Sequence, residues 1–286
     1  MAVSPDGRDT WKPKVALWDN FPVNDFDFTR VFLGPLTGRD TRLDAVPPAG
    51  MTANPMVHAA ASRLALATVA DYAWQPAAYD PARSHERAVR LVPGAAELAP
   101  LVEACSSWPP SADQSPALSA LCASVLANAS RSATRPDGEN TLVVGPEGED
   151  TAAVRLRFEL ERLAALPAST PGRIGEELRP WTAAARDIAT TALAALDLVT
   201  ALPRANGDEV ARGPAEAAAS RAISETARAV AAALARAEEH EANVLRGVLP
   251  PFVRAALNRA APCRLPRPAI EATPAIAQSP AYPIAP

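Results

Sequence analysis

Hydrophobic and polar positions divide the chain into two unlike stretches. Near the start, residues 14–18 (KVALW) form a short apolar run that ends in a polar cluster, residues 19–25 (DNFPVND). A buried strand running into a loop has this pattern. A punctuated stretch follows, with LGPLTG at 33–38 and VPPAG at 46–50, leaving little room for a long helix. Residues 51–53 are a second, very short candidate strand. Asn54 and Pro55 then offer an N-cap and a first-position proline for a helix over 56–74, whose Val57, Leu64, Val69 and Trp74 recur near helical spacing. This is βα organisation repeated at most twice, too little to close a barrel or to cover a parallel sheet on both faces.

From residue 84 onward the period is helical. Helices are predicted over 86–105, 116–129, 150–166, 173–202 (with Pro180 near its first turns) and 214–246, with a short last one ending at Ala260. Loops rich in turn residues occupy 130–149 and 204–213. Beyond Ala261 the chain is Pro- and Ala-rich without periodicity, as expected of an extended or disordered tail. No internal repeat of 20–50 residues is visible.

Composition sharpens this picture. The 286 residues carry 28 Lys+Arg against 32 Asp+Glu, a net charge of −4, so no basic surface for nucleic acid or an anionic membrane is expected. Apolar residues make up 48% but aromatics only 5%; alanine carries much of the difference, and alanine is the best helix former. No apolar run reaches the ~18 residues of a membrane span, and MAVSPDGRDTW lacks the layout of a secretory signal. Cys105, Cys122 and Cys263 make neither an even disulfide framework nor a metal-ligand spacing, although Cys105 and Cys122 could pair between two helices. His58, His85 and His240 show no catalytic or zinc pattern and read as surface residues. The pairs at 176–177 and 238–239 read as solvated helix faces. No metal or cofactor is called for.

The polar cluster after the first strand is the most informative place, because α/β enzymes put ligand contacts at strand ends. Asn20, Asn24 and Asp25 offer amides and a carboxylate suited to a hydroxyl-rich ligand, and Trp18 offers an apolar face. Asp, Asn and Pro also simply make turns, and Asn54 reads equally as an N-cap.

Three ordered motifs, LWDNFPVNDF at 17–26, FLGPLTGRDTRL at 32–43 and ANPMVHAAASRLALATVADYAWQPAAYDP at 53–81, resemble the end of the catalytic domain of glycoside hydrolase family 84. These are bacterial β-N-acetylglucosaminidases, some called hyaluronidases, related to O-GlcNAcases. LRPW at 178–181 and VLPPFV at 248–253 are similar, less specifically, to that family's C-terminal helical domain. The resemblance implies a mainly α chain: the last two βα units of a (β/α)8 barrel over 1–85, a helical bundle over 86–262, and a tail over 263–286. It implies that Trp18 lines the pocket for the N-acetyl methyl and that Asn20, Asp25 and Asn54 bind sugar hydroxyls. It offers Trp108 as a further tryptophan at the site, in the divergent context CSSWPP. The ligand implied is an N-acetylglucosamine-containing glycan, and the parent protein is expected to be secreted.

The family's chemistry is substrate-assisted, with the acetamide oxygen as nucleophile and two adjacent aspartates as helpers, outside the usual two-carboxylate scheme. No Asp-Asp dipeptide occurs in this sequence. The expectation is therefore no catalytic residue here, Asp19 with Asp25 being an unsupported substitute pair. The chain then reads as the C-terminal portion of such an enzyme, inactive alone and partnered by the missing N-terminal barrel half, whether from a truncated, frameshifted or split gene. The alternative is a non-enzymatic helical module for carbohydrate or protein interaction that keeps a barrel remnant.

Overall fold

A computed structural model describes residues 16–42, 48–110, 112–133, 151–202 and 214–261. Two four-residue strands, β1 (Ala16–Asp19) and β2 (Gly50–Ala53), pair in parallel, with Ala16 opposite Gly50 and Asp19 opposite Ala53. Leu17, Asp19, Met51 and Ala53 turn partly inward, while Trp18 and Thr52 face out. No α-helix lies between the strands among the described residues. The chain there runs through an irregular, buried segment, Val31, Phe32, Leu33 and Leu36.

The rest is α-helical: α1 (Ala59–Trp74), α2 (Pro81–Leu91), α3 (Ala99–Ala104), α4 (Pro116–Ala133), α5 (Thr151–Ala164), α6 (Arg173–Ala201), α7 (Pro214–Glu238) and α8 (Leu249–Ala260). The mainly α expectation holds. Pro81, Pro116 and Pro214 open three of these helices, where the missing N–H costs nothing. Asp80 caps α2 by accepting the Arg83 N–H at 3.1 Å. The long α6 forms the spine, packing against α5, α7 and α8. One apolar core joins Phe32, Met56 and Leu64 to Leu160, Leu178, Leu196 and Phe252, so it runs unbroken from the first segment into the bundle. No described helix is long and apolar enough to cross a membrane.

Several boundaries differ from the pattern reading. The predicted helix over 86–105 is broken: α2 stops at Leu91, and Pro93 with Gly94 (φ +82°) leads into a 3-10 turn and α3. A Cβ at Gly94 would press on the Ile174 side chain at 2.9 Å. The helix expected to reach Arg246 ends at Glu238. The predicted tail and Cys263 lie outside the described residues.

The start of α1 is the most telling correction. Asn54 does not cap it; the helix begins at Ala59, and its N-cap residue His58 makes no side-chain cap bond. Glu177 of α6 instead accepts the N–H groups of Ala60 (2.8 Å) and Ala61 (3.0 Å), so one half of the pair read as a solvated face is a tertiary cap. A carboxylate there also complements the positive end of the helix dipole. Glu177→Ala should therefore destabilise the fold by about 1–2 kcal/mol, while Glu176→Ala, whose ion pair with Arg173 is long and exposed, should change little. Urea midpoints check this, and equal effects would refute the cap.

His58 is likewise not a surface residue. Its ring meets Trp181 edge-to-face at 4.9 Å, its Nδ1 is buried without a partner, and burial lowers its pKa. His85 contacts the Leu33 carbonyl at 2.8 Å, and His240 contacts Asp187 at 2.7 Å.

Cys105 and Cys122 are buried and free rather than paired. Burial pushes both thiols up to about 12. In a Cys263→Ser background, a thiol reagent at pH 8 should label the native chain orders of magnitude more slowly than the urea-unfolded chain. Prompt labelling of the native protein would contradict that burial.

Candidate functional site

The end of β1 delivers its polar cluster to an open cavity of about 300 Å³, lined by Asn20, Val23, Asp25, Phe26, Asn54, Trp108 and Pro110. Four of the six residues singled out from the sequence, Asn20, Asp25, Asn54 and Trp108, thus meet in one place. Trp18 stands at its border: the residue is 71% exposed, and its Nε1–H donates to Asn20 Oδ1 at 2.7 Å. The same Oδ1 accepts from Asn54 Nδ2 at 3.3 Å. With its oxygen occupied twice, Asn20 presents its amide N–H groups as donors. Asn54 is set by its own backbone N–H, which donates to the Asp19 carbonyl at 2.8 Å and so extends the strand pairing.

Asp25 is exposed, with no hydrogen-bond or ion-pair partner among the described residues. Asp19 is the opposite case. Arg39 grips it with Nε at 2.6 Å and Nη2 at 2.7 Å, and this bidentate bond raises the guanidinium pKa. Asp19 is therefore committed to structure and makes no acid-base pair with Asp25. Asn24 is also structural: fully buried, it donates to the Arg30 carbonyl at 2.9 Å and accepts from the Val57 N–H at 3.3 Å.

Trp108 arrives from the loop after α3, and three contacts place it. Leu33 N–H donates to the Cys105 carbonyl at 2.9 Å, and Arg30 Nη1 donates to the Pro110 carbonyl at 2.6 Å. Gly34 lies so close to Ser106 that a Cβ would sit 2.3 Å from its carbonyl oxygen, so only glycine allows this approach. The indole then wedges edge-on between Phe21 (5.2 Å) and Phe32 (4.9 Å), a favourable aromatic geometry. The segment after β1 is in turn held to the bundle through the Thr29 carbonyl, which accepts Trp181 Nε1–H and the Asn243 N–H, each at 2.8 Å.

The cavity pairs an apolar wall (Val23, Phe26, Trp108, Pro110) with a polar one (Asn20, Asp25, Asn54). Such a site suits a ring with an apolar face and hydroxyls around its edge. Val23, Phe26 and Pro110 were missed from the sequence; Phe26, an aromatic side chain 53% exposed beside Asp25, carried the available signal.

Residues 6–104 match the family model described as NAGidase, beta-N-acetylglucosaminidase. The chain is glycoside hydrolase family 84-like. Among solved structures, the fold is similar to CpGH84B, at 18% identity and a TM-score of 0.68 over 85% of this chain and 39% of that one. It is also similar to a mutant of the O-GlcNAc hydrolase of Thermobaculum terrenum, at 19% identity and 0.67 over 87% and 49%. CpGH84D matches at 18% and 0.67 over 86% and 40%. The chain thus spans less than half the length of the structures it resembles.

Proposed function

We propose that the chain supplies part of the binding site for an N-acetylglucosamine unit of a glycan, within a β-N-acetylglucosaminidase that uses substrate-assisted retaining catalysis. The observation that carries this reading is the convergence of Asn20, Asp25, Asn54 and Trp108, drawn from three separate stretches of sequence, on one cavity. In this reading β1 and β2 are the last two strands of a (β/α)8 barrel, and the remaining strands would come from polypeptide outside these 286 residues. The bundle from about residue 86 would be the helical domain packed on that barrel, sharing a core with its last segment, and the parent protein would be secreted.

The roles follow from chemistry. Asn20 donates to a sugar hydroxyl, Asp25 accepts from one or two, and Asn54 does the same from the neighbouring strand end. Trp108 packs on an apolar ring face, and Trp18, at the border, faces the acetyl methyl. Cleavage needs one carboxylate to polarise the acetamide and another to protonate the leaving oxygen. Asp19 is taken by Arg39, Asp25 is a lone carboxylate, and the sequence holds no Asp-Asp pair.

Purified alone, the chain should therefore not hydrolyse an aryl N-acetylglucosaminide above a matched blank. Mixed with the N-terminal barrel half of a relative that carries adjacent aspartates, it should gain measurable turnover. Turnover by the chain alone, abolished by Asp25→Ala, would overturn the division of labour and make Asp25 catalytic.

A further inference from the structure

A second concavity, of about 250 Å³, lies at the far end of α1, where the chain turns into α2. Its wall includes Trp74, which is 91% exposed, the most of any large hydrophobic residue among the described residues. Trp74 makes no ring contact and donates no indole hydrogen bond among the described residues. An indole left in water forgoes the burial that usually decides where tryptophan sits.

The polar groups around it are partly fixed and partly open. Asp71 accepts from Ser84 Oγ at 2.6 Å and from Arg87 at 3.4 Å, which holds its carboxylate in place. Asp80 uses one oxygen to cap α2 and also lines the groove. The side chains of Gln75 and Arg83 line the groove with no partner among the described residues.

The charges decide the ligand class. Asp71 and Asp80 balance Arg83 and Arg87, so an anion or a cation would meet its own sign as well as its opposite. A neutral ligand rich in hydroxyls uses both sets: guanidinium and amide N–H groups donate, and carboxylate oxygens accept. A flat, exposed aromatic platform beside such groups fits a pyranose ring, whose faces are apolar and whose edge is polar. The groove is smaller than the usual ligand cavity of about 300–1,000 Å³, as suits one ring on an open shelf.

We propose that Trp74, Gln75, Asp80 and Arg83 form a second carbohydrate-binding surface that takes a neutral pyranoside. It shares no residue with the strand-end cavity, so the two readings fail separately.

Fluorine NMR of the full chain labelled with 5-fluorotryptophan tests it, because each of the five tryptophans gives its own resonance and Trp74→Phe assigns the one of interest. Methyl β-glucopyranoside and methyl N-acetyl-β-glucosaminide are titrated to tens of millimolar, with sorbitol as an open-chain control. The expected result is a saturable shift of the Trp74 signal with the pyranosides, not with sorbitol. Arg83→Ala and Gln75→Ala should each weaken it by roughly tenfold. A Trp74 signal unmoved by sugar, moved equally by sorbitol, or moved by raising protein concentration without sugar would overturn the proposal. The Trp108 signal reports the strand-end cavity in the same spectra, so failure at one site is read independently of the other.

Discussion

Phe32→Ala is expected to lower stability by about 3–5 kcal/mol and to dismantle the strand-end cavity with it. Phe32 is 1% exposed and belongs to the core shared by the first segment and the bundle. Its ring also props Trp108 edge-on and lies 5.9 Å from Phe26, while its backbone N–H approaches Met56 Sδ at 3.2 Å. Truncation leaves a void, and the two aromatic walls lose their common support. Urea denaturation reads the first effect, and the Trp108 fluorine resonance reads the second. Phe32→Leu keeps most of the volume and should cost about 1–2 kcal/mol, so the comparison survives if the alanine variant fails to fold. A loss under about 1 kcal/mol for alanine, with Trp108 unmoved, would show that the site does not depend on this core.

The second large effect concerns catalysis in the complemented protein. Asp25→Ala should lower kcat/KM by roughly tenfold to a few hundredfold, since a charge-assisted bond to a hydroxyl is worth about 1.5–3 kcal/mol. Asn20→Ala and Asn54→Ala should cost less, because neutral amides make weaker bonds. Trp18→Ala should act chiefly on N-acetyl substrates. Glu176→Gln, at the exposed pair with Arg173, should leave the rate unchanged. A complemented enzyme indifferent to Asp25 and Asn54 would remove these residues from the sugar site.

The features legible in the sequence were those written locally. Ala-rich periodic runs gave most of the helices nearly whole, and at α4 and α7 proline marked the start as well, because propensity and punctuation agree there. The polar cluster after β1 was legible because a strand end places consecutive side chains near one another. One failure was local as well: Pro93 and Gly94 carry the break between α2 and α3, and the helical period on either side concealed it. The others were not local. Nothing near Asn54 reveals that α1 is capped by Glu177, 116–117 residues away. Asp19 and Asp25 look alike in sequence; only Arg39, folded back across the strand end, separates a structural carboxylate from an open one. Trp108 was reachable through resemblance alone, since its place depends on Gly34 meeting Ser106.

That last contact ties the strand-end cavity to the folded state as a whole. Asn20 and Trp108 stand 88 positions apart and share a wall only when the loop after α3 docks on the segment around Leu33. An unfolded chain has no such wall, so a sugar held there binds native molecules alone. Mass action then raises the melting temperature with ligand concentration, by the equivalent of about 2.7 kcal/mol at a hundred times Kd. Thermal shift thus becomes a catalysis-free titration of the pocket, open to this chain even where it turns over nothing.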